Sequence, residues 1–192
     1  MPTDTPTYEK NDWTGDAQTA LPAILTNYDA ERFLTKWLGY LRDAQRPDGQ
    51  LPVIVPTPGW GFEGWPSPVW TTVYLHLLSA LVAEYDATAV IDDHLEPVLA
   101  SLRWELSRRH DDGLVDSVCG DYLFPGAPDP PPQDRRFTGS LFLARALHDT
   151  ARLCRQTAAE PAADRRRPTR PRTSWWRPPT SWSPRSIASS GT

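Results

Sequence analysis

The sequence predicts an all-α fold of about five helices, and three observations carry that prediction. Apolar residues recur at three- and four-residue steps over most of the chain before residue 158. Strand-like alternation is sparse, and Leu51–Val55 is expected to pair only briefly. Short turns, such as Asp111-Asp112-Gly113, alternate with longer loops rich in Gly, Pro and aromatics, Pro47–Pro68 and Leu114–Gln133. Stacked helical hairpins produce that alternation, with the long loops gathered at the end where function tends to sit.

The elements follow in order. Ala17–Tyr28 is a short helix candidate, weakened by Pro22. From Ala30 to Gln45, Phe33, Trp37, Leu38 and Leu41 form one face, with Asp29 placed as N-cap and Pro47-Asp48-Gly49 as the stop. A second run follows Pro66-Ser67-Pro68, carries Trp70, Val73, Tyr74, Leu77, Leu78, Leu81, Val82 and Tyr85, and ends before Asp86. A third, near Asp92 to Arg109, carries Leu95, Val98, Leu99, Leu102 and Leu106, with Pro97 tolerable only in a first turn. A fourth runs from about Arg136 to Gln156, with Phe137, Leu141, Ala144, Leu147 and Ala151 on its apolar face.

Composition narrows the function. The 192 residues allow one ordinary domain or a piece of a larger one. Ala158–Thr192 carries seven arginines against Glu160 and Asp164, a net of +5, so the total of -4 leaves the rest near -9. An acidic body repels phosphate and argues against nucleic acid as its partner. The tail is Arg, Pro, Ser and Trp without periodicity. Arginine beside aromatics can bind single strands, but the composition fits disorder better. Arginine outnumbers lysine 18 to 2, as in a GC-rich gene, and a change of reading frame would yield such a tail. Cys119 and Cys154 make no disulfide framework or zinc pattern and read as reduced core thiols. His76, His94, His110 and His148 are expected at the surface or at helix ends, and no metal or cofactor site is suggested. Without a leader-like segment or a membrane-length apolar run, the chain is expected to be soluble and cytoplasmic, with no membrane partner.

Candidate chemistry gathers near the start. Asp4, Glu9 and Asp16 surround the turn Trp13-Thr14-Gly15, in a segment whose Pro6 and Gly15 prevent one smooth helix. Sugar-cleaving sites need that mixture: an acid to protonate a leaving oxygen, further carboxylates, and an aromatic face against the ring. Close like charges raise the pKa of at least one such group and keep it protonated. By spacing alone, a helix start decorated with acids fits better, since the helix dipole favours them. Gly59-Trp60-Gly61-Phe62-Glu63-Gly64-Trp65-Pro66 is a second cluster. It fits a stacking platform for a sugar, with Trp70 beside it, or a hydrophobic plug. Gly120-Asp121-Tyr122 adds another acid and aromatic at the start of a long loop. No nucleophile elbow, P-loop or dinucleotide fingerprint is present.

Residues Asp4 to Gln18, Asp-Thr-Pro-Thr-Tyr-Glu-Lys-Asn-Asp-Trp-Thr-Gly-Asp-Ala-Gln, resemble the catalytic signature of bacterial α-L-rhamnosidases of glycoside hydrolase family 78, D-C-P-x-R-E-R-x-G-W-T-G-D-A-Q. The match has no gaps. It implies Glu9 as general acid, Asp4 and Asp16 as acids that hold the rhamnose, and Trp13 as an apolar wall. More loosely, it implies Trp70, Asp121 and Tyr122 as sugar-binding residues, and Trp65 of the aromatic loop is expected to line the same pocket. Thr5, Tyr8, Lys10 and Asp12 depart from the signature, and Tyr8 removes a cation that would tune the acids. The implied fold is a partial (α/α)6 six-hairpin barrel over residues 1–157, followed by the tail 158–192. Such enzymes invert configuration with a second carboxylate from the later half of the barrel, to which no residue here corresponds. The expected function is therefore an α-L-rhamnosidase-like hydrolase acting on terminal rhamnosides, truncated and weakly active or inactive. The rivals are another six-hairpin carbohydrate-active enzyme and a non-catalytic helical binding protein, with a poorly folded product as a third outcome.

Overall fold

The computed structural model describes residues 3–5, 7–57, 67–118 and 134–159. Six helices follow in chain order: α1 (Thr14–Asn27), α2 (Glu31–Ala44), the single turn α3 (Pro68–Thr71), α4 (Val73–Tyr85), α5 (Val90–Ser107) and α6 (Arg135–Ala159). Among the described residues, β-structure is limited to isolated bridges. The tail from residue 160 lies outside the described residues. No described helix is long and apolar enough to cross a membrane.

Helix α4 is apolar on nearly every side, and a helix of that kind must be wrapped by others. Val73, Tyr74, Leu75, Leu77, Leu78, Leu81 and Tyr85 are all buried. Each of the other five helices packs against α4. Leu34, Trp37, Leu38 and Leu41 of α2 join this core, with Ile91, Val98 and Leu102 of α5 and Leu143, Ala146 and Leu153 of α6 closing it. At about 1.5–3 kcal/mol for each fully buried large apolar side chain, this wrapping is the main stabilising term. Asp86 adopts a left-handed conformation and ends α4, where the sequence places the stop.

Several expectations need correction. Asp29 does not cap α2; Ala30 holds that position without a side-chain cap. The turn is fastened instead by Tyr85, whose hydroxyl accepts the Ala30 N–H at 3.1 Å and donates to the Tyr28 carbonyl at 3.4 Å. Pro97 lies well inside α5, as Pro22 does in α1. A mid-helix proline costs about 3 kcal/mol, and for Pro97 the burial of Val98 and Leu102 offsets it. Pro97 also gains a bond, its carbonyl accepting the Gln45 side-chain amide at 2.9 Å. The run after Pro66 is split at Thr72, whose hydroxyl and N–H both bond the Pro68 carbonyl. His94 is buried, not superficial, and meets the Tyr74 hydroxyl at 2.8 Å; burial lowers its pKa.

The apolar face of α6 is the largest miss. Phe137 and Leu141 are 60% and 54% exposed, and Ala144 and Ala151 also face solvent. The helix docks through Gly139, Leu143, Ala146, Thr150 and Leu153. Small residues win because contact is close: a methyl at Gly139 would lie 2.8 Å from Ser117 Cβ.

Candidate active site

The brief pairing at Leu51–Val55 positions the acid-bearing segment. Ile54 forms an antiparallel bridge with Trp13. The Thr14 N–H and hydroxyl both donate to the Val53 carbonyl, at 2.9 and 3.1 Å, and the Val55 N–H donates to the Asp12 carbonyl at 3.0 Å. Trp37 of α2, itself fully buried, donates its indole N–H to the Val55 carbonyl at 3.0 Å. The end of the acid loop is thus tied through one buried segment to the core.

The loop closes on itself before that anchor. The Asp4 N–H donates to the Asn11 carbonyl at 3.0 Å, and the Asn11 N–H returns a bond to Asp4 Oδ1 at 3.0 Å. The Thr5 hydroxyl donates to Asp4 Oδ2 at 2.7 Å. Partial burial raises the Asp4 carboxyl, but bonds from the Thr5 hydroxyl and the Thr5 and Asn11 amides outweigh it and hold the group below its ordinary range. Glu9 is exposed on the following turn, and its Oε2 accepts the Trp13 indole N–H at 2.8 Å. Asp16 lies in the first turn of α1. Burial, then the charges of Asp4 and Glu9, raise its pKa. Those influences place Asp4, Glu9 and Asp16 in one field.

Trp70 forms the neighbouring wall. Its indole lies on Gly15 so closely that a methyl there would sit 2.5 Å from Trp70 Cε2 and Nε1. Only glycine permits this approach. Gln18, one turn along α1, donates to the Val69 carbonyl at 3.0 Å, and its Oε1 lies 3.3 Å from the Thr72 hydroxyl oxygen, joining α1 to the turn that carries Trp70. Gly15→Ala is expected to displace the indole and destabilise the chain by about 1–3 kcal/mol, the usual cost of overpacking. Urea unfolding of the two proteins measures this, and an unchanged midpoint would contradict the contact.

The structure thus brings Asp4, Glu9, Asp16 and Trp13 together around one loop, with Trp70 against its far end. Trp65, Asp121 and Tyr122 lie outside the described residues. Two site residues escaped the sequence reading. Asp12 is half-buried, and its Oδ1 has no hydrogen-bond partner among the described residues; burial and then Asp4 raise its pKa. Gln18 is buried beside Ala17 and Leu21, and a glutamine among such apolar residues is a signal for a buried link.

The sequence matches the family described as the bacterial alpha-L-rhamnosidase 6 hairpin glycosidase domain over residues 1–171. The chain belongs to this six-hairpin rhamnosidase family. An α-L-rhamnosidase of Streptomyces avermitilis is 37% identical over 129 residues, which are 64% of this chain and 12% of that protein. One of Formosa agariphila is 36% identical over 70 residues, 32% of this chain and 8% of that protein. Among solved structures, an α-L-rhamnosidase from Dictyoglumus thermophilum superposes with a TM-score of 0.75 at 26% identity, covering 85% of this chain and 18% of that one. A Streptomyces avermitilis α-L-rhamnosidase complexed with L-rhamnose gives 0.69 at 31%, covering 86% and 16%. The chain therefore spans less than a fifth of the length of each of these rhamnosidases. Within the six-hairpin rhamnosidase signature, Gly15 and Gln18 act here as packing residues that seat Trp70.

Proposed function

We propose that this chain carries the acid-donating wall of an inverting α-L-rhamnosidase site. The observation that carries the reading is the exposed Glu9 carboxyl, held by the Trp13 indole and sharing one field with Asp4 and Asp16 in a gapless family signature. In this reading Glu9 protonates the glycosidic oxygen as the bond to the sugar breaks. Asp4 is held ionised by its hydrogen bonds and accepts sugar hydroxyls, and Asp16 binds another part of the ring. Trp13 and Trp70 cover the apolar face of the ring, and Trp65, Asp121 and Tyr122 are assigned to sugar binding from the sequence alone. Inversion also needs a carboxylate that activates water across the ring. That base is assigned to the part of the longer relatives that this chain does not span. Support for rhamnose comes from the relative solved with L-rhamnose.

Two measurements on the 192-residue chain test this. L-Rhamnose is expected to bind weakly, detected by saturation-transfer NMR, and an aryl α-L-rhamnoside is expected to be cleaved slowly or not at all. Equal saturation of an unrelated hexose, or binding that survives Asp4→Asn with Asp16→Asn, would remove the site from this loop. Rapid turnover would refute the assignment of the base.

A further inference from the structure

Glu105 is a carboxyl that the proposed reaction does not use. It is 1% exposed on α5, on the stripe of Val98 and Leu102. Its Oε1 lies 2.5 Å from the Thr71 hydroxyl oxygen, and its Oε2 is buried with no hydrogen-bond partner among the described residues. The same hydroxyl lies 3.2 Å from the Ser67 carbonyl. A threonine hydroxyl has one hydrogen, and a carbonyl can only accept. If Thr71 donates to Ser67, the hydrogen in the short contact belongs to Glu105. An ionised Glu105 would take the threonine's hydrogen from Ser67 and leave charge on the unpartnered Oε2. A carboxylic acid leaves only a neutral oxygen there, which costs far less to bury. Ser67 also accepts the Trp70 and Thr71 N–H groups, at 2.8 and 3.0 Å. These bonds define the turn that presents Trp70 to Gly15.

We propose that Glu105 is a positioning residue that, as a neutral acid, fastens the Ser67–Thr71 turn and so seats Trp70 at the candidate sugar site. Its importance to a sugar rests on the function proposed above; the fastening itself does not. Burial pushes the Glu105 carboxyl up to about 7, against the Thr71 bond and the charge of Arg108, which favour ionisation. Charges on the packed helices bear on other groups: Arg42 and Asp43 of α2 on Tyr74 and His94, and Arg145 and Asp149 of α6 on His76 of α4. Helix α3 carries no charged side chain. Because the folded pKa lies above the ordinary carboxyl value, the acid's contribution to stability is full below that value and is lost as pH rises through about 7.

The test follows the Trp70 indole N–H by NMR in the full chain, assigned by Trp70→Phe. The parent signal is expected to shift with a midpoint near neutrality. Glu105→Gln, neutral and still a donor, should keep the low-pH position throughout, and Glu105→Ala the high-pH position. A midpoint that persists in Glu105→Gln, or a parent signal that does not titrate between about pH 5 and pH 8, would overturn the proposal. If neither variant folds, infrared absorption of the parent decides: a protonated-carboxyl band at about pH 6 that fades above neutrality supports it, and no such band refutes it. L-Rhamnose binding is scored separately. If Trp70 titrates while the sugar never binds, the function fails and the fastening stands.

Discussion

Glu9→Gln is expected to slow cleavage of an aryl α-L-rhamnoside with a poor leaving group by about 10²–10⁴-fold, the usual contribution of a positioned general acid. Glutamine keeps the size of the side chain and an oxygen that can still accept the Trp13 indole N–H, which Glu9 takes at 2.8 Å. What it lacks is the transferable proton. L-Rhamnose binding should therefore change only a few-fold, because the fold and the lining are untouched. A substrate with a strongly activated leaving group should lose much less, since its departing oxygen needs little protonation. The slow parent rate is measured at high protein concentration over long incubations. Equal losses on both substrates would sink the assignment of Glu9 as the acid.

The second large effect is structural. Trp37→Ala is expected to cost about 3–5 kcal/mol, as for other buried tryptophans. Trp37 is 1% exposed among Leu34, Leu38, Leu41 and the α4 leucines, and its removal opens a cavity there. It also strips the Val55 carbonyl of its donor in a buried segment. Against a whole-domain stability of about 5–15 kcal/mol, that loss leaves much of the population unfolded at modest temperature. Trp37→Phe fills most of the space and should cost less. It should still weaken hydrogen-exchange protection at the Val55 amide, which bonds Asp12. Denaturation of both variants measures the difference, and an alanine variant within about 1 kcal/mol of the parent would contradict this account of the core.

How much of this was legible beforehand depends on the residue. The helices at Ala30–Gln45 and Trp70–Tyr85 announced themselves because their apolar residues recur in phase and end at strong stops. Pro22 and Pro97 misled, because local propensity is weak against burial contributed by residues far apart in sequence. On α6 the apolar stripe Phe137, Leu141 and Ala144 pointed outward. Docking there depends on close approach, which small residues allow and hydrophobicity does not encode. Glu105 follows Val98 and Leu102 at helical spacing, so the same periodicity that marks the core marks it as well. For the acid loop, spacing left two readings open, and the signature favoured one. Asp12 carried no such signal, because its burial arises from pairing with Val55, outside the loop's own sequence.

The bond between Trp13 and Glu9 has a use beyond holding a side chain. An indole N–H that donates to a carboxylate responds, in its nitrogen and proton resonances, to whether that carboxylate carries a charge. Glu9 therefore has a spectroscopic reporter one hydrogen bond away. Any change in the surroundings of that carboxyl, a bound sugar included, can be read at the Trp13 indole without product or turnover.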